Sequence, residues 1–310
     1  MLPWTDRSGH FAPLKCVAFA FVLLPALWLA VEAAQGWLGQ GWLGQGWLGQ
    51  GWLGQGWLGP RPFTEAIHQS GLWAIRFLAL TLAVTPLRSA LRYSKLISIR
   101  RILGVSVFAY AALHVALYVA DQKFALGHVA SEIVSRIYLT IGFIAFCGFS
   151  LLAMTSTDGM IARLGAPRWA RLQQFIYAGA VISMIHFFMQ SKLDITEPVI
   201  MAGIFALLLA FRVLQRQHKD LAAWHIALLG LVVAGLTALS EAAWFAYAMR
   251  APLLLVLAAN FDFSFGVRPC WFVLAAGMVL WLARLARPLF GEAPKIPRSR
   301  RKARVLPLSV

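Results

Sequence analysis

Residues Arg100 to Tyr118 read RRILGVSVFAYAALHVALY, two arginines followed by an unbroken run without Asp, Glu, Lys or Arg. At about 1.5 Å per residue, a helix of this length approaches the roughly 30 Å hydrocarbon core of a bilayer. The stretch therefore reads as a membrane-spanning helix entered from a basic side. Along it Ser106, Tyr110, His114 and Tyr118 recur at four-residue spacing, a slowly drifting stripe that also carries Ala111. Polar groups at that depth are costly unless satisfied, so the stripe is expected to face protein, and His114 becomes a candidate functional group.

A second stretch answers it. Residues Trp169 to Phe188 read WARLQQFIYAGAVISMIHFF, with His186 the sole histidine of that apolar segment. Reckoned from the basic residues that open each segment, His114 falls 13 residues beyond Arg101 and His186 15 beyond Arg171, which is nearly equal depth. Gly179, Ser183, His186 and Gln190 follow i, i+4, i+7, i+11, an arrangement that puts small side chains below the imidazole, where a flat macrocycle can approach. Taken alone, either histidine is as well read as a hydrogen-bond partner of a neighbouring helix. Two at matched depth point to haem iron with axial imidazoles, and a pair that leaves no open position favours electron transfer over oxygen chemistry.

Around these segments the chain is 60% hydrophobic and 13% charged, with a mean hydropathy of +0.71. Such values exclude an ordinary soluble domain and predict an all-α, polytopic transmembrane bundle of about eight helices. The candidate spans run approximately 15–34, 69–87, 102–120, 134–154, 170–190, 198–214, 221–240 and 269–288. Short connections, 121–133, 155–169 and 191–197, make consecutive helices antiparallel neighbours. The stretch 241–268 is mixed; it either re-enters the membrane or lies on its outer face.

The formal charge of +16 is explained by topology rather than by nucleic acid. With both termini in the cytoplasm, the connections on one side carry 21 of the 28 Lys and Arg, and seven remain outside: Arg61, Arg76, Lys123, Arg136, Lys192, Arg250 and Arg268. The positive-inside rule selects that orientation, in a bacterial inner membrane. The basic tail from Arg298 to Arg304 is then an anchor against anionic lipid. Cys16, Cys147 and Cys270 form no CxxC pair and read as packing residues. The first span has a basic start and an AxA-like end near Ala34, so both a retained helix and a cleaved signal peptide remain open. Five copies of Gln-Gly-Trp-Leu-Gly follow from Gln35 to Gly59. Their period turns each Trp by about 140° on a helix, and two Gly per unit oppose helix, so no stable helix is expected there.

Arg76 lies about one and a half turns below the outer surface on the second span, near the depth of the histidines. A buried guanidinium needs an acidic partner, and no Asp or Glu occupies the neighbouring spans at that level. A haem propionate would serve; the alternative is snorkelling to the interface. No Gly-rich phosphate loop follows a strand, so an electron donor would be a separate molecule. The chain divides into an N-terminal helix and repeat loop (1–62), a core (63–216), an additional helix pair (217–290) and a basic tail (291–310).

Further residues carry a resemblance. His68 to Arg76 read HQSGLWAIR and Thr81 to Arg88 read TLAVTPLR; then come Arg100 to Gly104, Phe108 to His114, Tyr118, Thr155 with Ser156, Arg163 to Gly165, Trp169, Leu172, Ile176 with Tyr177, and His186 with Phe187. In this order, over about half the chain, they resemble the haem-binding membrane subunit family of periplasmic methionine sulfoxide reductase systems, the MsrQ/YedZ type, within the ferric-reductase-like transmembrane group. The resemblance implies that His114 and His186 ligate a b-type haem. It also implies an electron-transfer subunit, rather than a self-sufficient enzyme, passing electrons outward to a periplasmic molybdenum-containing reductase.

One position departs from the family. Where the family has Leu-His-Arg-Leu-Val-Tyr, this chain has Leu172 to Tyr177 as LQQFIY, so Gln173 stands in place of an inner histidine ligand. One haem is therefore expected, with His225 or, less directly, His218 as the conceivable replacement for a second. Otherwise a flavin, supplied by a cytoplasmic flavin reductase, or a membrane quinol near the inner leaflet would deliver electrons directly to the outer haem. His10, His68 and His128 lie in loops or at a helix end and are expected to bind nothing. Two other readings stay open: a stand-alone transmembrane ferric or quinol-linked reductase, and a non-redox scaffold or transporter derived from this family, the latter favoured by a discontinuous helix around Pro252 or Asn260.

Overall fold

The computed structural model describes Thr5 and residues 10–39, 62–191, 194–218, 220–264 and 266–290; these residues form helices and no strand. In chain order the α-helices are α1 (Pro13–Gly39), α2 (Pro62–Leu91), α3 (Arg100–Asp121), α4 (Leu126–Ser135), α5 (Ile137–Met154), α6 (Asp158–Leu164), α7 (Ala166–Leu172), α8 (Ile176–Gln190), α9 (Thr196–Gln217), α10 (Ala223–Met249), α11 (Leu253–Ala258) and α12 (Pro269–Leu285). Among the described residues, seven stretches are long and apolar enough to cross a membrane, with α7 and α8 joined into one through a 3-10 turn at Gln173–Phe175. At 17 residues α12 is apolar but at the short limit for a span. The chain is thus an all-α polytopic bundle.

Several helices outrun the apolar windows that announce them. The helix α1 continues to Gly39, so the first Gln-Gly-Trp-Leu-Gly unit is helical, correcting the expectation for that unit. Extending an existing helix costs far less than nucleating one, which offsets the unfavourable glycines for one more turn. Repeat residues 40–59 and the tail 291–310 lie outside the described residues. The connection 121–133 holds most of α4, and α6 occupies the centre of 155–169. Beyond residue 240, α10 runs on to Met249. The segment after it folds into α11 and a 3-10 turn at Ala259–Phe261, with Asn260 buried and its carbonyl accepting from Trp271 Nε1 at 2.8 Å.

The centre of the bundle is α2, whose Phe77 and Leu82 are fully buried. It packs on α3, α9 and α12. A second pair, α5 with α8, joins through α3. Within α1, Pro25 removes the N–H that would bond the carbonyl four residues earlier. Beside that gap the Tyr110 hydroxyl donates to the Val22 carbonyl at 2.7 Å, tying α1 to α3. Where α10 crosses α12, Gly230 faces Gly277 so closely that a Cβ on Gly277 would lie 2.8 Å from the Gly230 Cα. Eleven residues further along α10, Glu241, 2% exposed, is met by Arg268 Nη1 at 3.3 Å.

A paired-histidine candidate cofactor site

Each histidine rests on the opening turns of another helix. His114 of α3 meets α2, where its Nδ1 lies 2.7 Å from the Ile67 carbonyl oxygen. His186 of α8 meets α5, its Nδ1 2.8 Å from the Tyr138 carbonyl oxygen. A carbonyl can only accept, so each Nδ1 carries the ring proton and each Nε2 keeps its lone pair. That is the tautomer a metal ligand needs, fixed by the bond on the other nitrogen.

The two ring centres are 6.3 Å apart, with planes at 84°. A metal–imidazole bond is about 2.0 Å, so rings at this separation leave room for one ion between them. Both rings also press on glycines: a Cβ on Gly71 would stand 3.0 Å from His114 Nδ1, and one on Gly142 2.7 Å from His186 Nδ1. The residues present therefore fit a haem, which His114 and His186 would hold. Such a group would supply a one-electron carrier whose potential the protein tunes.

Arg76 is placed differently from the expectation that no acid lies within reach. Its Nη2 is 3.3 Å from Glu197 Oε1, and the guanidinium carbon sits 5.0 Å from the centre of the Trp73 ring. Glu197 stands one residue before the expected span 198–214, in the first turn of α9. Gly179 is also corrected: it does not open space below the imidazole, because the Phe149 ring fills it, 2.8 Å from where a Cβ would stand. The small residues beside the imidazoles come from α2 and α5 instead. His68 lies within α2 rather than at its edge, with Nδ1 3.7 Å from Glu65.

At the opposite end of α8, Gln173 Nε2 donates to the Leu152 carbonyl and to Ser156 Oγ, both at 3.3 Å. Trp169 Nε1 donates to the Thr155 carbonyl at 3.0 Å, so the Thr155–Ser156 pair serves both residues. One turn along, the Tyr177 hydroxyl accepts from Arg212 Nη1, and Arg212 Nη2 donates to the Leu82 carbonyl at 2.5 Å. His225 has partners of its own. Its ring stacks on Trp224 at 3.7 Å and stands 5.9 Å from His218, in a helix that packs on α9 and α12, whereas Gln173 bonds to α5. Ile67, Tyr138, Gly71 and Gly142 escaped the reading of the site; Gly71 lies in the quoted HQSGLWAIR stretch, but nothing there says that it faces a ring.

Residues 70–184, which span α2 to most of α8, match the family model described as "Ferric reductase like transmembrane component". This sets the class of membrane protein. Within that class, the chain is 43% identical over 156 residues to the protein-methionine-sulfoxide reductase heme-binding subunit MsrQ of Xanthomonas campestris pv. campestris (strain B100), covering 50% of this chain and 71% of that protein. The protein of the same name in Rhodospirillum rubrum is 38% identical over 208 residues, 67% of this chain and 88% of its own length. The chain belongs to this MsrQ family. No solved structure matches it.

Proposed function

We propose that this chain is a membrane cytochrome b subunit that binds one haem between His114 and His186 and passes electrons outward to a methionine sulfoxide reductase catalytic subunit. The observation that carries the reading is the pair of imidazoles, 6.3 Å apart, each with Nδ1 committed to a backbone carbonyl. The relatives are heme-binding subunits of that reductase by name, which supports the partner and the cofactor class. The distribution of Lys and Arg supports a bacterial inner membrane setting with both termini in the cytoplasm and the histidines in the outer leaflet. From there the electron reaches a periplasmic acceptor of the molybdenum-containing type. Arg76, steadied by Trp73 and Glu197, is the cation that would meet a haem carboxylate. Gln173, with its amide committed to α5, supports a single haem supplied directly by a flavin or quinol on the cytoplasmic side.

The test is the haem-to-protein ratio and absorption spectrum of the purified protein. A ratio of one, with Soret and alpha bands that sharpen on reduction, is the expected result. Absence of reducible bands ends the proposal, and full turnover without any periplasmic partner reassigns the chain as a stand-alone reductase.

A further inference from the structure

Two unrelated helices present the same local device to the two imidazoles. On α2 the acceptor is the Ile67 carbonyl and the glycine under the ring is Gly71; on α5 they are Tyr138 and Gly142. In both, the glycine stands four residues after the carbonyl. In an α-helix that carbonyl already accepts the N–H of the residue four on, and the side chain at that position covers the approach to the oxygen. At Ile67 the Ser70 hydroxyl also donates, at 2.9 Å. Only a residue without a Cβ leaves room for an imidazole to reach the oxygen's remaining side.

We propose that Gly71 and Gly142 are positioning residues for the axial ligands, fixing the tautomer and the plane of each imidazole by exposing the carbonyls of Ile67 and Tyr138. The inference rests on the haem reading above and adds what sets the ligand geometry. A methyl group at 71 would stand 3.0 Å from His114 Nδ1 and 3.1 Å from Cε1; at 142 it would stand 2.7 Å from both atoms of His186. Either ring has to retreat, and a retreat of a few tenths of an ångström lengthens a 2.7–2.8 Å hydrogen bond beyond good geometry. A histidine released from its carbonyl is a weaker and less directed donor to a metal. Losing such an outer partner typically weakens metal binding about 10–100-fold. The tighter clearance makes Gly142 the more sensitive position.

The seats also determine how the planes lie to one another. They hold the rings at 84°. Crossed imidazoles leave the two iron d orbitals that overlap with them nearly equal in energy, and this produces a strongly anisotropic ferric low-spin EPR signal; parallel imidazoles split those orbitals and give an ordinary rhombic one.

The experiment compares the wild-type protein, Gly71→Ala, Gly142→Ala and the control Gly148→Ala, the last on α5 with nothing within 4 Å of its Cβ position. Haem titration of the apo-proteins and EPR of the oxidised holo-proteins are the readouts. The wild type is expected to show the anisotropic signal. Both seat variants should bind haem about 10–100-fold more weakly, with the largest g-value moving toward the rhombic form. Gly148→Ala should match the wild type. If the wild type binds haem while both seat variants behave like Gly148→Ala, the seats do not position the ligands, and the haem reading stands. A rhombic signal from the wild type overturns the proposal without any variant, so poor folding of Gly142→Ala does not shield it. No haem in the wild type is a different failure, that of the haem reading itself.

Discussion

Gln173 and His186 stand 13 residues apart, about 20 Å along one helical axis, and the chain treats the two ends in opposite ways. At the His186 end each of the two histidines spends one nitrogen on a backbone carbonyl and holds the other in reserve. At the Gln173 end the polar groups are turned on one another: Gln173 on Leu152 and Ser156, Trp169 on Thr155, Arg212 on Tyr177 and Leu82. A similar closure holds the basic loops, where Asp220 takes Arg287 at 2.9 Å, Arg92 at 3.5 Å and Arg284 at 3.6 Å. The contrast separates a site from a fastening. Buried polar groups that satisfy one another specify the bundle; a pair that leaves a lone pair free on each member is arranged for something else.

The largest effect expected from breaking this contrast is at the open end. His114→Ala and His186→Ala should each abolish low-spin haem, seen as loss of the reduced alpha band, with the protein still folded as judged by circular dichroism. An unchanged alpha band in either variant would show that the iron, if present, is held elsewhere. At the fastened end the same kind of deletion should act on stability. Tyr177→Phe leaves Arg212 Nη1 without its acceptor, and stranding a buried charged donor costs about 1–3 kcal/mol. Arg212→Met removes the charge together with its need and should cost less. Thermal unfolding in detergent ranks the two, and the reverse order would mean that the guanidinium stabilises more than its burial costs.

Smaller again is the contribution of Asp220. The hydrogen bond from Arg287, reinforced by Arg284 and Arg92, holds its carboxyl below the usual carboxylate range. A folded-state value below the unfolded one, about 3.9, means that the stabilisation is complete above that pH and is lost as pH falls through the folded value. The side chain is half exposed, so the pairs are worth roughly 0.5 kcal/mol. Asp220→Asn should therefore lower the unfolding midpoint slightly at pH 7, and the gap to wild type should close below about pH 4. A gap that persists at low pH would assign the effect to packing.

How far the sequence could be read follows the same division. The spans and the histidine pair were legible because hydropathy and depth are carried by the side chains themselves, as the counts from Arg101 and Arg171 illustrate. The seats were not legible. Their working atoms are the backbone oxygens of Ile67 and Tyr138, which any residue would supply, and a glycine in an apolar helix reads equally as packing, as Gly230 and Gly277 show. Arg76 found an acid because tertiary folding brought the first turn of α9 to α2, a contact 121 residues apart that no local pattern announces. The helix α4 was hidden for another reason. Its ten residues carry Leu126, Val129 and Ile133 at helical spacing, but they are too few for a membrane span and so fall inside a connection when spans are read from hydropathy.

The sharpest form of the comparison asks whether one residue separates the two ends. If the missing inner ligand were the only difference, Gln173→His would restore a second haem. The geometry predicts otherwise. The His186 end combines an imidazole from α8 with one from α3, each seated on a carbonyl and a glycine, whereas Gln173 faces the Leu152 carbonyl of α5 and Ser156 in the turn after it. A histidine there would gain an acceptor, yet the other stacked pair of imidazoles, His218 and His225, belongs to the end of α9 and the start of α10. An iron there would have a single protein imidazole, without the second ligand that the paired histidines would offer at the other end. The haem-to-protein ratio of Gln173→His should stay at one and its reduced spectrum should be unchanged. A ratio of two would mean that an opposing ligand reaches this position, and the inner end would then be a haem site closed by one substitution rather than a fastening.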